Sequence, residues 1–102
     1  MKTLDDPREV SMYVGVIHRI KDASAAFSRG ERLMEDAPAG ITGREFYPSK
    51  DMTTATCLWE AESLDALRDY IDSTLGDSSE NTYFEVNTEN ATGLPKEAAT
   101  SA

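Results

Sequence analysis

The chain has 102 residues, 39% hydrophobic and 28% charged, with 19 acidic against 10 basic side chains and a net charge of −9 at pH 7. That charge repels phosphate backbones and anionic lipid, which argues against a nucleic-acid or membrane-surface partner. A single cysteine, Cys57, leaves no intrachain disulfide and no cysteine-rich zinc site; no stretch is long enough to span a membrane and the acidic start does not read as a secretory signal, so a cytoplasmic location is expected.

Residues 1–10 hold Asp5, Asp6 and Pro7 and read as a lead-in. "SMYVGVIHRI", residues 11–20, is rich in β-branched side chains and predicts a first strand. Residues 21–38 then place Ala23, Ala26, Phe27, Gly30, Leu33, Met34 and Ala37 at the spacing of an amphipathic helix. Asp22 caps its start and Pro38 lies beyond its end. This reading carries Gly30 inside the helix, at a cost of about 1 kcal/mol.

"ITGREFYP", residues 41–48, predicts the second strand, "SKDM" its turn, and "TTATCLWEA", residues 53–61, the third strand. Residues 62–76 predict the second helix. Ser63 is its N-cap, Asp65 lies in the first turn, Leu64, Leu67, Ile71 and Leu75 form its apolar stripe, and Gly76 ends it. "DSSEN" reads as a loop and "TYFEVN", residues 82–87, as the fourth strand. Leu94 and Pro95 are expected to dock, and the last residues to fray.

The order βαββαβ predicts an α+β, ferredoxin-like fold: a four-stranded antiparallel sheet in the order 4-1-3-2 with two helices on one face. One domain spans 1–102, with its core at about 11–88, a lead-in at 1–10 and a C-terminal tail at 89–102. The two central strands are apolar on both sides. The first carries Val14, Val16 and Ile20 on one face and Tyr13, Gly15 and Ile17 on the other. The third carries Ala55, Cys57 and Trp59 opposite Leu58, Thr54 and Thr56. Helices cover only one face, so a homodimer through the helix-free face is expected, the alternative cover being a loop or the tail folded over it.

This order, the two-faced apolar centre and the stretch "CLWEAESLDALRDYIDSTLGDSSENTYFEV" resemble the dimeric α/β-barrel superfamily of the ferredoxin-like fold. The resemblance covers about residues 11–88. Members include antibiotic-biosynthesis monooxygenases, small polyketide cyclases and stress-responsive barrel proteins, so it implies a dimeric barrel rather than one activity. Some of the cyclases place a histidine on the first strand, as His18 is placed here. Their second histidine has no counterpart, because His18 is the only one in the chain.

His18 is the candidate catalytic residue. Facing a cavity, it would be an acid/base group or a ligand contact; facing the helices, it would be a structural histidine. Tyr47 and Tyr83 flank strand ends, and Trp59 is either a core aromatic or a ligand-stacking wall. His18, Tyr47, Trp59 and Tyr83 are the expected ligand contacts. Cys57 has no base or cation beside it in sequence and reads as a buried, inert thiol. One histidine and one cysteine make no metal site, and no cofactor motif occurs. The expected function is cofactor-free binding of a small apolar or aromatic molecule in a cavity beside the sheet. The alternatives are a cofactor-free monooxygenase- or cyclase-like enzyme using His18, and a structural or stress-associated dimer with no ligand.

Overall fold

The computed structural model describes residues 11–95. The lead-in expected over 1–10 and the fraying expected of the last residues, over 96–102, lie outside the described residues. The elements are β1 (Met12–Ile20), α1 (Ala23–Arg29), β2 (Ile41–Pro48), β3 (Thr54–Ala61), α2 (Leu64–Leu75) and β4 (Ser79–Glu85). The strands form one antiparallel sheet in the order β2-β3-β1-β4, which is the expected order read from the other edge. This α+β arrangement is compatible with a ferredoxin-like fold.

Both helices lie on the sheet face that carries Val14, Val16 and His18 of β1 and Ala55, Cys57, Trp59 and Ala61 of β3, all buried. Leu67, Ile71 and Leu75 of α2 complete the core against them. Helix α2 follows its apolar stripe closely: Ser63 accepts from the Ala66 N–H at its start, and Gly76 ends it with φ near 59°. Arg29 of α1 donates to the last α2 carbonyl, that of Leu75, at 2.9 Å, satisfying an acceptor the helix itself leaves open.

Two elements depart from the sequence reading. Helix α1 spans seven residues and stops at Arg29, rather than running on to residue 37. Gly30 is its C-cap, with its N–H turned to the Ala26 and Ser28 carbonyls. A Cβ at Gly30 would stand 3.2 Å from Leu75 Cδ2, so the bare glycine lets the end of α1 close on α2. The chain then turns irregularly through 31–36. Leu33, Met34 and Ala37 still pack against the core. Their helical spacing therefore reports burial, and the turn supplies it without a helix. Strand β4 begins at Ser79, earlier than expected, because a tight turn over Gly76–Ser78 delivers the chain directly to the sheet edge opposite Ile20.

On the helix-free face, Ile17, Tyr47 and Phe84 are 42%, 61% and 48% exposed. The Phe84 ring lies on Gly15, where a Cβ would collide with it. Arg44 and Glu60 form a half-buried ion pair on the same face, at 2.6 Å. The docking expected near Pro95 is present: its carbonyl accepts from the Tyr13 hydroxyl at 3.2 Å. Among the described residues, no helix is long and apolar enough to cross a membrane.

Leu67 is wholly buried and Asp69, two residues on, is exposed. Leu67→Ala should therefore cost about 2–5 kcal/mol in urea unfolding, whereas Asp69→Ala should stay within about 0.5 kcal/mol. Equal losses would mean that α2 presents another face to the core.

Candidate functional site

The short α1 leaves part of the covered sheet face open. A cavity of about 290 Å³ lies there, between the sheet and the segment formed by α1 and the turn after it. Its walls are mostly apolar: Ala26 and Phe27 from α1, Leu33 and Met34 from the turn, Phe46, Ala55 and Trp59 from the sheet, and Leu75 from α2. Phe27 and Phe46 meet edge to face, with centroids 6.2 Å apart. Phe46 is 45% exposed, and the exposed Glu31 and Glu35 also line the cavity, which marks this as its solvent side. The irregular wall is held in place by Tyr70 of α2, whose hydroxyl donates to the Leu33 carbonyl at 2.7 Å.

Three polar side chains of the sheet line the cavity, His18 of β1, Cys57 of β3 and Ser79 of β4, and the first two meet. Register brings them together. Cys57 stands opposite Val16, one diagonal step from His18, and Asn81 of β4 stands directly opposite His18. His18 Nε2 lies 3.0 Å from Cys57 Sγ, and His18 Nδ1 lies 2.7 Å from Asn81 Oδ1.

The surrounding bonds assign the protons. Asn81 Nδ2 donates to the Asp72 carboxylate at 2.8 Å, and the Ser79 hydroxyl donates to Asn81 Oδ1 at 2.8 Å. A carboxylate only accepts, so the Asn81 amide nitrogen must face Asp72 and its oxygen must face His18. His18 Nδ1 therefore carries the hydrogen, and Nε2 presents its lone pair to the Cys57 thiol. Trp59 Nε1–H donates to the same sulfur at 2.9 Å. Tyr83 adds a bond to Asp72 at 2.6 Å.

Burial sets the charge of the pair. It pushes the Cys57 thiol up to about 11, against the Trp59 hydrogen bond, which favours the thiolate. It also holds His18 below the ordinary 6.5, although the Asn81 hydrogen bond and the Asp72 charge act in the other direction. The resting pair is thus a neutral thiol donating to a neutral imidazole. Tyr83 is held neutral too, mainly by burial and then by Asp72.

The four expected ligand contacts do not converge. His18 and Trp59 both line the cavity. Tyr83 shares their sheet face but turns its hydroxyl to Asp72. Tyr47 stands opposite Thr56 on the helix-free face. His18 faces the helices and yet borders a cavity, so the two alternatives posed for it are not exclusive. Cys57, read from sequence as lacking a base, has one across the strand pair. Asn81 was hidden because its segment reads as a loop. Extending the fourth strand back to residue 79 would have placed Asn81 beside His18 in the same sheet order. Among the described residues, no cluster of three or more His, Cys, Asp or Glu side chains could hold a metal ion.

No family model matches the chain, and no curated protein matches it.

The depressed His18 basicity has a consequence for stability. The unfolded chain takes up a proton near pH 6.5 and the folded chain only at lower pH. The stabilisation is therefore complete above that value and is lost as the pH falls from 6.5 toward the folded value, at up to about 1.4 kcal/mol per pH unit. Urea unfolding at about pH 7.5 and about pH 5.5 should show this loss in the native sequence, and it should be missing in His18→Gln. The same slope in both proteins would remove His18 as its cause.

Proposed function

We propose that the domain binds a small, neutral, apolar or aromatic molecule in the cavity between the sheet and the α1 segment, without a cofactor. The observation that carries this reading is an apolar chamber of about 290 Å³ in so short a chain, opening beside Phe46. The chamber is open to solvent on that side, so its apolar walls stay unburied, and a ligand seated there would supply the burial they lack. The volume suits a molecule of one or two rings, at the lower end of the usual range for ligand pockets. Glu31 and Glu35 at the rim disfavour anionic ligands. Both ring nitrogens of His18 are bonded within the protein, which favours binding over His18 abstracting a proton from the ligand itself. A purely structural dimer gives the chamber no role.

The protein acts as a homodimer in this reading, with the helix-free sheet faces packed together. Ile17, Tyr47 and Phe84 are the uncovered apolar groups that support it, together with the resemblance to the dimeric α/β-barrel superfamily. Its location is then the cytoplasm.

Trp59 is the only tryptophan, is fully buried and lines the cavity. Nitrobenzene, a neutral aromatic quencher, should therefore quench its fluorescence saturably. Ala26→Leu, which projects into the same space, should weaken that binding roughly tenfold or more while the fold persists. Linear, unsaturable quenching in both proteins would overturn the reading. Light scattering should give twice the monomer mass, and Ile17→Arg should return it to the monomer value. A monomeric native protein would remove the dimer.

A further inference from the structure

We propose that Cys57 is a base-assisted nucleophile, with His18 as its base and Asn81 as the group that orients the base, and that it adds to a neutral α,β-unsaturated carbonyl compound held in the cavity. This rests on the reading of the cavity as a site for a neutral apolar molecule.

The geometry has the three parts such a nucleophile needs. A thiol lies within hydrogen-bond reach of an imidazole nitrogen, at 3.0 Å. The other ring nitrogen is held by a third side chain, at 2.7 Å. That third group is itself fixed, by Asp72 and Ser79, in the orientation that leaves Nε2 free to accept. Cys57 and His18 both border the chamber, so a molecule seated in it lies against the small part of Cys57 that is left exposed. The Trp59 N–H aimed at the sulfur stabilises the negative charge that develops there as the proton leaves.

The substrate class follows from the lining. Acyl transfer would build an oxyanion, which calls for hydrogen-bond donors on the ligand side. The side-chain donors of Trp59 and Ser79 at this wall are already directed at Cys57 and Asn81. Conjugate addition makes a smaller demand, because the charge is shared between the carbonyl oxygen and the α-carbon and is discharged by one proton delivered to that carbon. In that step the Cys57 S–H proton moves to His18 Nε2 while the sulfur electron pair forms a bond to the β-carbon. The C=C pair shifts toward the carbonyl, and the α-carbon then recovers the proton from Nε2. The product is a thioether, the net change is addition of S–H across C=C, and no oxidant or reductant enters.

Cys57 is the only cysteine, so thiol labelling reports it alone. N-ethylmaleimide is a neutral conjugate acceptor of suitable size. At neutral pH it should label the folded protein at least tenfold faster than the same chain unfolded in urea, with one adduct per chain by mass spectrometry. Anionic iodoacetate should show no such gain. His18→Gln should slow maleimide labelling of the folded protein roughly 100-fold, within the range for loss of a general base. The unfolded reference needs no variant, so the comparison holds whether or not His18→Gln folds. Nitrobenzene at saturation should protect the thiol. Maleimide labelling slower in the folded than in the unfolded chain would overturn the proposal, and with saturable nitrobenzene quenching intact it would leave the binding reading standing. Fast labelling without nitrobenzene binding or protection would do the opposite, supporting the thiol and removing the cavity as an aromatic site.

Discussion

Strand β1 pairs with β3 on one side and β4 on the other, and its register with both decides where every polar group of the covered face must find a partner. His18 is 4% exposed and needs a partner at each ring nitrogen. The register supplies Asn81 directly opposite and Cys57 one step along the diagonal. A slip of one residue would carry His18 to the helix-free face and leave Asn81 and Cys57 without it. The polar line from Trp59 through Cys57, His18 and Asn81 to Asp72 is thus a property of strand pairing as much as of the side chains in it. Each bond in that line also fixes the direction of the next, which is why an exposed carboxylate on α2 determines the tautomer of a buried ring.

The cavity has its origin in the helix that stops early. With seven residues, α1 covers less of the sheet than a helix running to residue 37 would. The turn that follows spans the gap rather than filling it. Tyr70 anchors the turn through Leu33, and Met34 packs over Gly43 of β2, where a Cβ would collide with it. The same residues that a longer helix would have pressed into the core become a wall. An open apolar pocket of this kind leaves wall surface unburied, which works against stability, and the domain keeps it beside a wall tied down at two points.

The two faces of the sheet follow opposite rules. The covered face is apolar with one polar line whose members are bonded to one another. The helix-free face mixes exposed Ile17, Tyr47 and Phe84 with the Arg44–Glu60 pair, half-buried without any helix above it. Phe84 lies on Gly15 and so shields the backbone at the point where the central strand has no side chain of its own.

Much of the architecture was legible in the sequence. The four strands, the strand order and α2 rest on periodicities and caps that act over a few residues, and for α2 every local signal agrees: Ser63 before it, the Leu67–Ile71–Leu75 stripe within it, Gly76 after it. The end of α1 was not legible. Leu33 and Met34 continue a helical spacing, and only the close approach of Gly30 to Leu75 of α2 makes that glycine a cap rather than a cost. Nor could the sequence decide which side of β1 the helices cover, because the strand is apolar on both. The candidate site was decided wholly by tertiary structure. Cys57 lies 39 residues from His18, and Asn81 lies 63 residues from it. A buried thiol and a buried imidazole carry no mark in the chain of what they face; they acquire a shared proton only when three strands are laid side by side in one register.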